Sequence, residues 1–296
     1  MRQGFEAGER VLLVDNKRRH YLVTLAVGGQ FHTHHGFVAH DDLLGAREGC
    51  LVTSTRNERY RALRPTMEDV ILLMPRGAQV IYPKDIGPIV HLADIYPGAR
   101  VFESGVGSGA LSMAMLRAGA RIVGYEIRED FANRAHTNVT SMLSGGALGT
   151  GALGADALDR YQVHLADAYA GIDTSHLDDG HVDRAVLDLP EPWQVIPHVE
   201  QVLEPGGVLC CYTPSITQAS QVRERLARGP WTECKTIEVL HRSWHVEGIA
   251  VRPDHRMVAH TAFLTYARLV VDDGTSLVPT SGRATGAPEG ARATDQ

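Results

Sequence analysis

Cysteine is scarce in this chain of 296 residues, whose four cysteines are Cys50, Cys210, Cys211 and Cys234 with no C-x-x-C pair among them. Scattered thiols of this kind exclude a disulfide framework and indicate buried, reduced cysteines in a cytosolic protein. No apolar run reaches the 18 residues of a membrane-spanning helix, and Met1–Glu6 lacks the apolar stretch of a signal peptide. We therefore expect a cytoplasmic protein that does not enter a membrane.

An excess of positive charge is also missing, because the formal net charge is -6. This balance excludes a protein whose whole surface is basic. The distribution is uneven, however: residues 1–66 hold 10 Lys and Arg against 7 Asp and Glu, and the remainder holds 19 against 28. A mildly basic N-terminal part on an acidic body suits a polyanionic partner that is held locally.

The spacing of apolar runs divides the chain into four segments. Residues 1–64 contain short β-branched runs between Asp, Asn and Gly turns, which predict a small β-barrel domain. Residues 65–97 predict a helical connector, with a helix over Asp85–Ile95 that Asp85 would cap. Residues 98–271 predict the largest domain, and residues 272–296, rich in Gly, Ser, Thr, Pro and Ala, predict a disordered tail.

The largest domain alternates apolar strand patterns with helical patterns, which predicts a parallel sheet covered by helices on both faces. Its end differs, because Cys234–His245 and His260–Val271 are two long β-like stretches without a helix between them. We expect these two stretches to form an antiparallel pair that closes the sheet. The Gly- and Ala-rich segment Ser144–Ala157 predicts a surface loop before the third strand.

A glycine-rich loop, Glu103–Ala110, links the first strand of this domain to its helix. Gly105-x-Gly107-x-x-Ala110 fits the loose dinucleotide fingerprint, whereas Gly105-x-Gly107-x-Gly109 behind Glu103 is typical of S-adenosylmethionine methyltransferases. The other strand ends favour the second class, since they add three further acids. Together these four acids would repel a pyrophosphate but suit a ligand with an amine, hydroxyls and a sulfonium; they are Glu103, Glu126, Asp167 and Asp188.

The segment Asp188-Leu189-Pro190-Glu191-Pro192-Trp193 follows the apolar run Asp183–Leu187. Its two prolines lack a ladder N–H and end the strand, so Asp188 lies where the strand stops. Ligands in open α/β sheets bind outside these carboxyl ends. The rigid turn therefore indicates a site for a flat heterocycle, with Trp193 either a pocket wall or a core aromatic.

The chain resembles the tRNA (adenine-58-N1)-methyltransferases over roughly residues 5–270. Four segments carry the resemblance: Gln79–Asp85, Glu103–Ala110, Asp188–Trp193, and Arg252-Pro253 with His260-Thr261-x-Phe263. It implies an α/β class I S-adenosylmethionine-dependent methyltransferase fold with a seven-stranded, mostly parallel sheet and a small N-terminal β-barrel. It also implies tRNA as substrate and a homotetramer. The Ser144–Ala157 loop and the C-terminal tail depart from the family.

The resemblance implies that the glycine loop, the acid after the second strand and an aspartate after the third bind the cofactor, and that Asp188 acts in the reaction. Neutral adenine N1 needs no deprotonation, but its methylated product is cationic, and a fixed carboxylate stabilises that charge. Tyr82 is the second candidate catalytic residue, as a wall of the base pocket. The expected cofactor-binding residues are Gln79, Glu103, Ser104, Gly105, Val106, Gly107, Ser108, Gly109, Ala110, Leu111, Glu126, Asp167 and Asp188.

Two other functions stay open: an NAD(P)-dependent oxidoreductase, and a non-catalytic tRNA-binding subunit. A methyltransferase of protein carboxyl groups would not need a pocket for a flat base. His32, His34 and His35 have metal-like spacing but no nearby Cys or acid cluster, so no metal site is expected. Further candidates for substrate or subunit contacts are Lys17–His20, Arg242, Trp244, Arg252 and His260.

Overall fold

The computed structural model describes residues 4–75, 79–144 and 158–271. The predicted Ser144–Ala157 loop falls outside these ranges from residue 145 onward, and the predicted tail, residues 272–296, falls outside them completely. Within the described ranges no helix has both the length and the apolarity needed to cross a bilayer.

The N-terminal part is a small antiparallel β-structure around its own core. Its four-stranded sheet has the order β2-β1-β6-β5, and β3 and β4 form a separate hairpin. Alternate residues of β1, Val11 and Leu13, point into a core that also holds Phe5, Leu25 and Tyr60. The strands are β1 (Arg10–Asp15), β2 (His20–Thr24), β3 (Gln30–Thr33), β4 (Gly36–Ala39), β5 (Leu51–Thr53) and β6 (Arg59–Leu63).

Two helices follow, α1 (Met67–Leu73) and α2 (Pro83–Leu92). Thr66 and Asp69 form a reciprocal capping box at the start of α1. The prediction that Asp85 caps the next helix is wrong, because α2 begins at Pro83 with Tyr82 as the N-cap residue. Proline is favoured at the first helical position, since the N–H it lacks would have no partner there.

The largest unit is a seven-stranded sheet of order β12-β15-β11-β10-β7-β8-β9. The pairs from β11 to β9 are parallel, whereas β15 is antiparallel to both β11 and β12. Its elements are β7 (Arg100–Ser104), α3 (Ala110–Arg117), β8 (Arg121–Glu126), α4 (Glu129–Ser144), β9 (Tyr161–Leu165), β10 (Val182–Leu187), α5 (Pro192–Val202), β11 (Leu203–Thr213), α6 (Ile216–Leu226), β12 (Trp231–Glu238), β13 (Trp244–Glu247), β14 (Ala250–Pro253) and β15 (Phe263–Leu269). Short 3-10 turns occupy His40–Asp42, Thr174–His176 and Asp178–Gly180.

The predicted class I architecture is confirmed, including the antiparallel closing pair, which is β12 and β15. Helices cover both faces: α1 to α4 pack on one core and α5 and α6 on the other. Between β12 and β15 the chain adds the hairpin β13–β14, which the sequence patterns did not predict.

Strand register decides which side chains meet at the carboxyl edge of the sheet. Leu187, the last residue of β10, pairs with Ser104 of β7 on one side and with Cys211 of β11 on the other. The next residues along these strands, Asp188, Gly105 and Tyr212, therefore gather at one point although they are distant in sequence.

Candidate active site

The glycine loop makes its closest approach to the rest of the site at Gly105. This residue has φ +83°, and a side chain there would overlap the backbone carbonyl of Asp188. The Asp188 N–H in turn donates to the Ser104 carbonyl at 2.9 Å. Only glycine fits this position, so the loop and the turn after β10 lie against each other along their backbones.

Glu103 is a buried acid directly before this loop. It is 2% exposed, and the Ser112 hydroxyl donates to Glu103 Oε2 at 2.6 Å. Burial raises the pKa of Glu103 to about 8, and the charges of Asp188 and Glu126 act in the same direction. The hydroxyl of Ser108, in the same loop, is buried without a hydrogen-bond partner in the described structure. The site thus offers a carboxyl group and a hydroxyl that a polar ligand could satisfy.

Glu126 ends β8, and its carboxylate is held in place by the backbone. Gly107 N–H donates to Oε2 at 3.0 Å, and Arg128 N–H donates to Oε1 at 3.0 Å. Asp167, which follows β9, accepts a bond from the Tyr169 N–H at 2.9 Å and is exposed at the edge of the site. Both acids keep free lone pairs toward the cleft and could accept from hydroxyl or amino groups.

The Asp188 side chain is partly buried beside the cleft, and this burial disfavours its charged form. Burial, followed by the neighbouring charge of Glu126, raises the pKa of Asp188 to about 7. The turn beyond it is fixed, since Glu191 N–H donates to the Tyr169 hydroxyl at 3.1 Å and Gln218 donates to the Pro190 carbonyl at 2.8 Å. A carboxyl group that is rigid and electrostatically poised responds strongly to a cation placed beside it.

Two recesses meet at Gly105. The first, of about 260 Å³, is lined by Gln79, Val80, Ile81, Glu103, Gly105, Val106, Gly107, Ser108, Ala110, Leu111 and Asp188. The second, of about 280 Å³, is lined by Ser104, Gly105, Tyr125, Glu126, Ile127, Ala166, Asp167, Ala168, Tyr169 and Leu189. Every predicted cofactor-binding residue except Gly109 lines one of them, and Gly109 is the left-handed N-cap residue of α3.

Two further tyrosines, Tyr82 and Tyr212, line neither recess, although Tyr82 directly follows Ile81 of the first. Tyr82 is half-buried at the N-cap of α2, and Tyr212 is 8% exposed near the end of β11. The pKa of Tyr212 is raised by burial, then by the charges of Asp85 and Asp188, and also by Tyr82. A site role for Tyr82 stays a prediction. Tyr212 was not predicted, because it lies in an apolar run typical of a core strand.

Other sequence candidates have different surroundings. Trp193 packs against the core under the turn, which favours its structural interpretation. Arg19 forms an ion pair with Asp15 at 2.6 Å within the small N-terminal sheet. His260 contacts Glu238 at 2.7 Å and the Pro214 carbonyl at 2.8 Å, so it connects β12 to the segment that precedes α6.

A third recess, of about 320 Å³, lies where β7 and β8 begin, at the opposite edge of the sheet. Its charged walls are used in internal pairs, including Arg100 with Asp183 and Arg121 with Asp178, both at 2.8 Å. The recess contains none of the predicted site residues and lies away from the carboxyl ends where ligands of such sheets bind.

Comparisons with known proteins agree with this geometry. The family described as "tRNA methyltransferase complex GCD14 subunit" matches residues 60–251, and the TrmI-like N-terminal family matches residues 4–52. A tRNA (adenine(58)-N(1))-methyltransferase TrmI from Thermus thermophilus is 34% identical, with 87% of this chain and 96% of that protein covered. The chain belongs to the TrmI family of tRNA methyltransferases. The resemblance seen in the four sequence segments is therefore confirmed.

Other TrmI relatives and solved structures extend the likeness. An archaeal enzyme from Methanocaldococcus jannaschii, named for both adenine 57 and adenine 58, is 32% identical over 87% of this chain and 94% of its own length. TrmI from Aquifex aeolicus has a TM-score of 0.74 at 26% identity, covering 90% of this chain and 99% of that one. A solved structure of a SAM-dependent O-methyltransferase from Thermotoga maritima has a TM-score of 0.79 at 29% identity, covering 90% of this chain and 95% of that one.

Proposed function

We propose that this TrmI-family chain transfers a methyl group from S-adenosylmethionine to N1 of adenine 58 in the T-loop of tRNA, in the cytoplasm. The observation that carries the proposal is the position of Asp188, a poised carboxyl group packed against the glycine loop at Gly105. The T. thermophilus relative is named for this reaction. The T. maritima structure is described as an O-methyltransferase, so a ribose or carboxyl oxygen is the competing target.

The residues present fit S-adenosylmethionine, which supplies an electrophilic methyl group on a cationic sulfur. Glu103, Ser108 and the glycine loop would hold the end that carries the amine and the sulfonium. Glu126 would accept from the ribose hydroxyls, and Asp167 from the amino group of the cofactor's adenine. The buried Ser108 hydroxyl without a described partner and the absence of room for a side chain at Gly105 support this fit.

The acids argue against the oxidoreductase alternative. The charge of Glu126 raises the pKa of both Glu103 and Asp188, and the charge of Asp188 raises that of Glu103, so the site is strongly anionic when ionised. A dinucleotide pyrophosphate would add negative charge to this cluster and be repelled. A cationic cofactor would be attracted instead.

The target base would be extracted from the T-loop into the space beside Asp188, with Tyr82 and Tyr212 as walls. Asp188 would accept a hydrogen bond from the exocyclic amine and so orient N1. As N1 gains the methyl group the ring becomes cationic, and the fixed carboxylate stabilises this charge more than the neutral ring. Asp188 then accepts the proton that the product amine loses.

The raised pKa values predict a pH-dependent cofactor affinity. Glu103, with a pKa of about 8, and Asp188, with a pKa of about 7, are largely protonated at pH 6. A cation binds better when these groups are ionised, so the Kd for S-adenosylmethionine should fall by about tenfold or more between pH 6 and pH 8. Isothermal titration calorimetry at both pH values measures this change.

Two controls show whether the carboxyl groups cause the change in affinity. Glu103→Gln should flatten the pH dependence, since it removes one of the two titrating groups. S-adenosylhomocysteine, which lacks the sulfonium charge, should show a weaker dependence than S-adenosylmethionine on the same protein. An unchanged Kd from pH 6 to pH 8, or equal slopes for the two ligands, would contradict the proposed sites.

The proposal includes self-association as a homotetramer, and the β13–β14 hairpin supports it. Trp244, Val246 and Val251 are exposed by 57%, 70% and 61%, and the pairing of Val246 with Val251 places all three on one face. Contiguous exposed apolar side chains of this kind mark association surfaces. A second copy of the chain would cover them.

In sedimentation velocity, we expect the Val246→Asp variant to sediment as smaller species than the wild-type protein, because the substitution places an unpaired charge in the contact between copies. Val27→Asp is the matched control, since Val27 is an exposed apolar residue, at 79%, in a turn of the small N-terminal structure. A monomeric wild-type protein, or equal sedimentation of both variants and wild type, would refute the assigned surface.

Methylation assays on tRNA transcripts test the function. With labelled S-adenosylmethionine, an unmodified transcript should accept label, and the same transcript carrying guanine at position 58 should accept none. Equal labelling of both transcripts would exclude adenine 58 as the target. A transcript that binds but remains unlabelled would favour the non-catalytic tRNA-binding subunit.

A further inference from the structure

A buried cluster of charged and polar side chains lies beside the site and takes no part in the chemistry described above. Lys84 is 5% exposed at its side chain and Asp85 is 0% exposed. Lys84 Nζ lies 2.8 Å from Asp85 Oδ1, 2.7 Å from the Val239 carbonyl and 2.6 Å from Thr261 Oγ1. The Thr261 hydroxyl donates to Asp85 Oδ2 at 2.6 Å. We call Lys84, Asp85 and Thr261 the Lys84 cluster.

The Lys84 cluster is fully satisfied and fixed in one arrangement. The ammonium group uses its three donors on three acceptors, and the Thr261 hydroxyl accepts one bond and donates another. It connects the start of α2 to the chain after β12 and to the chain before β15. A buried ion pair is weak evidence for stability, because apolar side chains of equal volume would often serve as well. Stability alone therefore does not explain why this ion pair lies in the core.

The position of the cluster supplies that reason. Tyr82 lies two residues before Lys84, as the N-cap residue of α2, so fixing the first turn of the helix also fixes Tyr82. Tyr212 lies within electrostatic reach of both Asp85 and Asp188. Strand order places Tyr212 accordingly, because β11, which carries it, lies between β10, which Asp188 follows, and β15, which Thr261 precedes.

We propose that Lys84, Asp85 and Thr261 are positioning residues that hold Tyr82 and Tyr212 in register with Asp188, and so align the target base for transfer. The inference rests on the proposed methylation of adenine 58. It predicts that loosening the cluster lowers kcat, while cofactor affinity, which depends on the glycine loop, stays the same. A cluster that only cross-links three segments would lower thermal stability without this selective loss.

Thr261 allows a test with little change in volume. Thr261→Val removes the hydroxyl but keeps the branched shape, and Thr261→Ser keeps the hydroxyl. Thr265→Val is the matched control, because Thr265 is 0% exposed and its hydroxyl contacts Thr236 at 2.9 Å. Neighbouring residues of a strand point to opposite faces of the sheet. Leu264 packs in the same core as Ile86 and Ala262, which neighbour the Lys84 cluster, so Thr265 faces the other core.

We expect Thr261→Val to lower kcat on tRNA by tenfold or more. The KM for tRNA and the Kd for S-adenosylmethionine should stay within about threefold of wild type. Thr261→Ser should restore kcat to within about threefold. Thr265→Val should keep the wild-type kcat, although its Tm should fall by about as much as that of Thr261→Val. Thr261→Ala takes the place of Thr261→Val if the valine variant does not fold.

The inference is overturned if Thr261→Val turns over within twofold of Thr265→Val, or if its loss of rate follows an equal loss of cofactor affinity. Wild-type protein in the same assay separates the two proposals. If wild type does not methylate tRNA, the proposed function fails. If wild type is active and Thr261→Val is equally active, only the positioning role fails.

Discussion

Replacing Asp188 by Asn should lower kcat for tRNA methylation by about 100- to 1000-fold, the loss typical when one preorganised electrostatic partner is removed from a transition state. The Kd for S-adenosylmethionine should change by less than tenfold, because the glycine loop, Glu103 and Glu126 remain. Single-turnover assays with saturating cofactor, together with calorimetry, measure the two quantities separately.

Asp188→Ala separates charge from orientation. Asn carries no charge but still accepts a hydrogen bond from the adenine amine. Ala carries no charge and cannot accept that bond. Equal losses in the two variants indicate that the charge matters, and a much smaller loss in Asn indicates orientation alone. Asp183→Asn is the control, because Asp183 lies on the same strand and pairs with Arg100 at its other end. Near-wild-type turnover of both Asp188 variants would rule out the assigned role.

Stability gives Asp188 a second readout that does not depend on activity. The folded-state pKa of Asp188 is about 7, above the value of 3.8 for an unhindered aspartate. The folded protein therefore holds this proton while the unfolded chain loses it, and stability falls as pH rises from about 4 to 7. Asn has no proton to lose, so Asp188→Asn should have a higher Tm than wild type at pH 8 and a smaller advantage at pH 4.

Gly105→Ala should weaken S-adenosylmethionine binding by more than 100-fold and abolish methylation. The added Cβ overlaps the Asp188 carbonyl, and φ of +83° is strained for alanine. Either the glycine loop or the turn after β10 must shift. Because the two recesses meet at Gly105, either shift changes the shape of the proposed cofactor site. Cofactor titration by calorimetry gives the size of the loss.

Gly98→Ala is the matched control for Gly105→Ala. Gly98 has φ +88°, so alanine suffers similar backbone strain there, but no atom lies within 4 Å of the added Cβ. We expect Gly98→Ala to lose about 1–2 kcal/mol of stability and to keep its cofactor affinity. If both variants bind the cofactor equally well, the close approach of Gly105 to Asp188 has no functional importance.

Local sequence patterns predicted much of the fold and part of the site. Alternating strand and helix patterns gave the class I sheet, and the two prolines after Asp188 marked the end of β10. The roles of the individual residues remain predictions until variants are measured. Sequence order alone did not show that β10 lies between β7 and β11, which brings Gly105, Asp188 and Tyr212 together.

The features missed from sequence depend on contacts between distant segments. Tyr212 has the pattern of a core strand residue, and only strand pairing places it beside Asp188. Asp85 has the pattern of a helix cap, but it is buried against Lys84 and Thr261, and Thr261 is 176 residues away. The β13–β14 hairpin was missed, because the predicted stretch Cys234–His245 runs past the end of β12 at Glu238 and stops inside β13, and no strand was predicted over Ala250–Pro253.

The most direct test of the account is nucleoside mapping of unmodified tRNA after incubation with the protein and labelled S-adenosylmethionine. The account predicts that the label is recovered as N1-methyladenosine at position 58. Label in a ribose-methylated nucleoside, in protein, or in no RNA product would contradict it.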